Sequence, residues 1–361
     1  MNALMNDLAF PKKPTFKAKI GHVANYYNPR IWQEKGFWWT TGLFLITATV
    51  LILIFGIIWS RTPDMLNVSE ERLALVNNDS SKLVPGTATT AAAIGIAETL
   101  LDKPGGYLSN DIGPPGIYLD NIPNWEFGVL TELRDLTLAL RNDFSRAQSQ
   151  SVEDVDLETA QPQFNYNANS WILPSTESEY RQGIVALHRY FDRLTDAKAQ
   201  DGQFFARADN LTAYLLVVEK RLGSLAQRLS YAVGQARLNT DLAGDPNARR
   251  STPVAQESNT KTPWLKIDDI FYEARGYTWA LLATLQAMRF DFEPVLKDKN
   301  ALVSLEQINR ELQNTQNTVW SPLILNGTGF GPMSNHSLVM ASYISRVNAA
   351  IADLRSLLET G

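Results

Sequence analysis

Phe37–Trp59 reads FWWTTGLFLITATVLILIFGIIW, 23 residues without one charged side chain. At about 1.5 Å rise per residue, such a helix would cross the ~30 Å hydrocarbon core of a bilayer with some length left for tilt. Phe37, Trp38, Trp39 and Trp59 stand at its two ends, where indole rings prefer the headgroup level. The run exceeds the roughly 7–15 apolar residues of a secretory signal, and the SRTPDML after it has no A-x-A-like cleavage site. Residues 37–59 are therefore expected to be a transmembrane helix.

The flanks set its direction. Residues 1–36 carry Lys12, Lys13, Lys17, Lys19, Arg30 and Lys35 against Asp7 and Glu34, a net of +4. The other side opens with Arg61, Asp64, Glu70, Glu71 and Arg72, a net of −1. The positive-inside rule keeps this basic tail (1–36) in the cytoplasm and exports the residues beyond the helix. A tail of this length is too short for a kinase, cyclase or DNA-binding module. Its Phe16, Tyr26, Tyr27 and Trp32, interleaved with Lys17, Lys19 and Arg30, suit either a stretch resting on anionic lipid or a partner motif.

The exported residues 60–361 carry a net charge of −9, which holds them off anionic headgroups. The whole chain, at −5 without clustered Lys or Arg, is not expected to bind nucleic acid. Zero Cys excludes disulfides, thiolate metal sites and Cys nucleophiles, and three His leave little for His chemistry. No metal and no cofactor are expected.

Beyond the helix, 60–103 reads as a stalk with a short helix at 91–102, then a turn-dense stretch, Pro104-Gly-Gly106 and Gly113-Pro-Pro-Gly116. From there to 361 the period is helical. Val129, Leu133, Leu136 and Leu140 recur at steps of 4, 3 and 4, as do Tyr180, Ile184, Leu187, Phe191 and Leu194 behind a capping box at Thr176–Glu179. Residues 149–175 are acidic and irregular. The cleanest stripe is Leu211, Leu215, Val218, Leu222, Leu225, Leu229 and Ala232, three heptads of a coiled-coil-like seam. Run from Phe204 to Gln235, that helix would be ~48 Å long. A polar linker comes next at 239–263, then further stripes through Ile270–Phe292, Leu302–Leu312 and Met340–Leu358. The fold class is mainly α: one transmembrane helix, then an elongated helical bundle in one domain (104–361).

Candidate chemistry is sparse. GxxxxGK[ST], HExxH, GxSxG and EF-hand patterns are all missing from the sequence. Ser258-Asn-Thr-Lys261 matches S-x-x-K by spacing but sits in the polar linker. Asp120 and Glu126, in the rigid DNIPNWEFG segment, are the weak catalytic candidates, an acid–base pair for a glycan. The plainer reading of the same segment is a helix start, with Asn124 as cap, Glu126 against the dipole and Trp125 in the core. Gly327, Gly329, Gly331 and His336 form a glycine-rich approach to the last helix, either an anion-binding loop with a dipole-depressed His or a tight turn capped by Ser334 or Asn335.

The segments DNIPNWEFGVL (120–130) and SLVMASYISRVNAAIADLRSLL (337–358), with the N-terminal anchor, resemble a family of uncharacterised bacterial inner-membrane proteins defined only by a domain of unknown function. The resemblance implies a bacterial envelope location, with the helical domain in the periplasm, and supplies no activity, ligand or catalytic residue. The expected function is a membrane-anchored scaffold or adaptor of an envelope complex, with other envelope proteins or a second copy as partners and no identifiable catalysis. The alternatives are a cell-wall glycan enzyme using Asp120 and Glu126, or a ligand-sensing ectodomain with its anion site at the glycine loop.

Overall fold

The computed structural model describes residues 25–148, 150–196, 198, 201–238 and 257–360. The tail residues Phe16, Lys17 and Lys19 and most of the polar linker, 239–256, lie outside them. The chain forms two units, residues 1–57 and 58–361.

In the first unit, Asn28 caps a short helix, α1 (Pro29–Lys35), by accepting from the Arg30 N–H. After Gly36 comes α2 (Phe37–Trp59), which has no buried residue. Trp32 and Tyr27 both pack edge-on against Phe44, with ring centroids 5.3 and 6.2 Å away, and the Tyr27 hydroxyl bonds to Thr47. The aromatic arm thus lies along the first turns of the apolar helix.

The second unit is built from α3 (Val68–Leu75), α4 (Thr87–Asp102), α5 (Asn121–Ala139), α6 (Val155–Phe164), α7 (Thr176–Thr195), α8 (Ala208–Ser230), α9 (Ile267–Asp291), α10 (Glu293–Asp298), α11 (Leu302–Thr315) and α12 (His336–Thr360). The one sheet among the described residues is a hairpin of β1 (Gln235–Leu238) and β2 (Glu257–Thr260), paired antiparallel with Gln235 opposite Thr260. The polar linker is therefore closed at its base by these strands. The mainly α class holds.

α9 is the hub, and it packs against α4, α5 and α11. Every residue from Ala274 to Leu285 is buried, the signature of a helix covered on all sides. It runs parallel to α5, with Asn124 bonded to Asp269 near their starts and Phe144 against Phe292 just past their ends, and there is almost no gap between them. A Cβ added at Gly128 would fall 2.0 Å from the Glu273 carbonyl oxygen, and one at Gly276 would fall 2.0 Å from that of Trp125. One glycine from each helix lets the backbones touch, and Trp125 and Trp279 stack edge-on beside them at 5.3 Å.

The heptad stripe of α8 is buried against α12, whose Met340, Ile344, Val347, Ile351, Leu354 and Leu358 are buried in turn. The pair is antiparallel, since Glu219 bonds Arg355 while Gly223 faces Asn348. Truncating a fully buried leucine here, such as Leu222→Ala, would cost about 2–5 kcal/mol.

Four expectations change. Residues 60–103 are no free stalk: α4 is buried without interruption from Thr87 to Ala97 and packs on α5, α7 and α9. Its N-terminal amides reach across the chain, with Ala88 and Thr89 N–H donating to the Asp291 carboxylate at 3.3 and 2.6 Å. The acidic stretch 149–175 contains α6, started by Asp154, which accepts from Asp156 and Leu157 N–H. The cap of α7 is Ser175 rather than Thr176, whose buried hydroxyl is held by the carbonyls of Asn167 and Ser170. Finally, α8 has 23 residues, ending where Tyr231–Gly234 turn the chain into β1.

Candidate functional site

Asp120 and Glu126 share the start of α5 but not a site. Six residues on a helix separate two side chains by about 240° around its axis. Asp120 is the N-cap, accepting from Asn121 N–H, and Asn124 instead donates to the Asp120 carbonyl and to Asp269. Glu126 is fully buried. Its carboxylate accepts from Leu108 N–H and Ser109 N–H, each at 2.8 Å, and from the Ser109 hydroxyl at 2.5 Å, and it forms an ion pair with Lys103. A carboxylate offers about four lone-pair positions, and four donors fill them. Burial pushes the Lys103 ammonium below the usual lysine range, and Leu100 and Gly106 carbonyls take its other protons. Trp125 sits in the core.

The glycine loop closes on itself. Gly327 N–H donates to Ser334 O, His336 N–H to Leu325 O, and Leu325 N–H to His336 Nδ1, all at 3.0–3.1 Å. That nitrogen therefore carries no proton, and burial lowers the His336 pKa. Asn335 caps α12 by accepting from Leu338 N–H, while its amide ties Asn326 to Gly327. Gly327 presses on the Met333 backbone; Gly329 (φ +86°) and Gly331 lie out toward the loop tip, where Phe330 is fully exposed. The arrangement is the tight capped turn.

The loop borders an open hollow of about 560 Å³ on its outer side, and α5 and α8 border another of about 540 Å³; two more cavities lie on either side of Arg275. One cavity of about 420 Å³ is walled by Ser60–Met65, Tyr272, Arg275, Trp279, Gln316, Thr318 and Val319. A second, about 300 Å³, lies between Phe271, Arg275, the 317–321 turn and His336. Arg275 is only 8% exposed and donates to the carbonyls of Gln316 (2.9 Å) and Asn317 (2.8 Å), just beyond the end of α11. Among the described residues no carboxylate lies within ion-pair distance of it. Burial lowers its pKa, yet a guanidinium stays protonated at any physiological pH. Arg275 can bind and orient an anion; being always charged, it is itself neither acid nor base. Sequence reading missed it because Arg275 sits between Ala274 and Gly276 in a helical stripe and belongs to no motif.

A family described as uncharacterised proteins conserved in bacteria, DUF2333, matches residues 32–361. The chain belongs to that family. No curated protein and no solved structure matches it. The DUF2333 match takes in the apolar helix, the whole second unit, and the Glu126 and Arg275 environments alike.

One more ionisable group is enclosed in this DUF2333 domain. Glu132, fully buried on α5, accepts from the Tyr214 hydroxyl of α8. Burial pushes its carboxyl up to about 8, so it holds its proton at neutral pH. One turn on, Asp135 takes a bidentate bond from Arg221 at 2.8 and 3.0 Å. Both join α5 to α8. Among the described residues no group of three or more metal-ligating side chains exists.

Proposed function

We propose that this DUF2333 protein is a single-pass inner-membrane protein whose helical domain acts in the periplasm as a scaffold or adaptor of a cell-envelope complex. The observation that carries the reading is α2: 23 apolar residues, none charged and none buried. A helix of that kind is stable in water only if something apolar covers it, and a bilayer does so along its whole length. The charge asymmetry of its flanks supports the direction, basic tail in the cytoplasm and acidic domain outside.

The scaffold role is supported by how the domain spends its acids. Glu126, the better of the catalytic candidates, has every acceptor position occupied by the protein itself. Exposed apolar side chains remain on the loops, including Trp171, Leu173, Trp320 and Phe330, the kind of surface that partner proteins cover.

The test is crosslinking of the tagged full-length chain in its own membrane, with mass spectrometry of the captured species. Recovery of the same envelope proteins in fixed proportion is expected. Release of the chain by alkaline washing would overturn the anchor. Recovery of monomer alone would overturn the scaffold role and direct attention to catalysis.

A further inference from the structure

We propose that the cavity walled by Ser60–Met65, Arg275 and the 316–319 turn is a binding site for a phosphate-bearing anion, supplied by a lipid headgroup or as a free phosphate compound.

The first support is an imbalance of charge. Arg275 is more than nine-tenths buried and has no carboxylate partner among the described residues. Taking a guanidinium out of water is strongly unfavourable unless an opposite charge compensates it. The carbonyls of Gln316 and Asn317 engage two of its five N–H donors and offer only partial negative charge.

The second is the composition of the walls. Arg61 joins Arg275, and the hydroxyl-bearing Ser60, Thr62, Tyr272 and Thr318 surround the same space. Against two guanidinium groups stands one acid, Asp64, which is exposed and whose carbonyl accepts from Trp279 Nε1. Two arginines with several hydroxyls match the donor needs of a phosphate group, which takes bidentate bonds from arginine. The volume, about 420 Å³, is ample for a phosphate and part of what carries it.

The third is position along the chain. Ser60 and Arg61 directly succeed Trp59, the last residue of α2. Two residues of chain reach at most about 7 Å, so a membrane-spanning α2 would place this wall beside the outer headgroup layer. The lipid source therefore rests on the anchor reading above; the free-phosphate source does not.

The experiment uses the delipidated full-length protein and monitors thermal unfolding by circular dichroism. It is run with inorganic phosphate against chloride at equal ionic strength, and in nanodiscs of phosphatidylcholine with or without phosphatidylglycerol. Binding to the folded state raises the midpoint with the logarithm of ligand concentration above its Kd. Arg61→Gln, an exposed position, is expected to weaken the apparent affinity about tenfold, the loss of one charge-assisted pair; Arg275→Gln should abolish it.

Protection by phosphatidylglycerol that phosphate competes away identifies the headgroup. Protection by phosphate, with both nanodiscs alike, identifies a soluble ligand. If neither protects, or if Arg61→Gln leaves the protection intact, the proposal is wrong and Arg275 serves only to hold the end of α11. Where Arg275→Gln does not fold, Arg61→Gln decides. Alkaline extraction of the same protein reads the anchor separately, so its failure removes the lipid source alone.

Discussion

Removing the Glu126 carboxylate tests whether it is a bolt or a reagent. In Glu126→Ala the Lys103 ammonium, with 1% of its side chain exposed, stays buried with only carbonyl partners. Leu108 N–H, Ser109 N–H and the Ser109 hydroxyl lose their acceptors together. Breaking a buried pair by deleting one member costs about 3–5 kcal/mol. The stranded amides keep the loss at or above the lower bound, since each buried donor left unmade costs about 1–3 kcal/mol. For a domain as long as residues 58–361, about 2 °C of melting temperature goes with each kcal/mol. The expected drop is therefore about 6–10 °C in the full-length detergent-solubilised protein, measured by circular dichroism. Lys103→Met alone should cost a similar amount, and the double variant Lys103→Met/Glu126→Leu clearly less than the two singles together. An acid poised for chemistry behaves in the opposite way, because freeing a site of an under-satisfied charge stabilises a fold. A drop of under 2 °C for Glu126→Ala, or strict additivity in the cycle, would refute the reasoning.

Gly276→Ala puts a methyl 2.0 Å from the Trp125 carbonyl and must force α5 from α9; a loss above about 3 kcal/mol is expected in urea unfolding, and a loss below 1 kcal/mol would contradict the close approach. For Glu132, whose folded pKa of about 8 lies above the ordinary glutamate value of 4.5, the folded state binds the proton more tightly than the unfolded chain. Its contribution is complete below pH 4.5 and is lost as pH rises through 8, a fall of roughly 3–5 kcal/mol. Glu132→Gln should flatten that slope, so an unchanged pH profile of the melting temperature would show that the carboxyl is not enclosed as drawn. Asp291→Ala strips the acceptor from Ala88 and Thr89 N–H and should cost about 1–3 kcal/mol. Asp291→Asn, which keeps one oxygen, should cost less, and equal midpoints for the two would argue against the cross-chain cap.

Most helices that could be read beforehand have one wet face; α9, covered on all sides, is legible as well from its run Ile270–Phe292. α5, α7, α8 and α12 alternate buried and exposed residues at the helical period because solvent covers one side. α4 is covered on all sides, so it carries no stripe: its residues 91–102 read as a short helix, while the Thr-rich start at 87–90 falls into the stalk. α6 offered only Leu157, Ala160 and Phe164 as apolar contacts, with Pro162 among them, too few to register against an acidic background. Local capping chemistry was legible to within one residue, Ser175 for Thr176, because which hydroxyl turns outward depends on a loop that the local pattern does not describe. The site was less legible still. Glu126 stood out by its neighbours in sequence, whereas its role is set by Lys103, 23 positions away, and by two amides of an intervening loop. Arg275 was silent because an isolated arginine becomes informative only when the absence of its counter-charge can be seen.

That contrast bears on function. Asp291 holds the start of α4, Asp135 grips Arg221, and Asp156 takes Arg189 and Arg193. Each joins segments far apart in sequence, and each is satisfied from within, so these charges fix the shape of the domain and leave nothing over for a substrate. Arginines that bind carbonyls without a carboxylate are a second device: Arg134 donates to the carbonyls of Phe164 and Tyr166 as α6 ends, and to the Tyr180 hydroxyl, while Arg275 donates to those of Gln316 and Asn317 beyond α11. A cation near a helix C-terminus is favourable in itself, which accounts for Arg134, a partly exposed residue whose charge water can solvate. It does not account for Arg275, which is buried deeper, faces open volume on two sides and has a second arginine across one of them. Among the described residues Arg275 thus stands beside a cavity without a carboxylate, and that contrast with Asp135, Asp156 and Glu126 is what the phosphate proposal rests on.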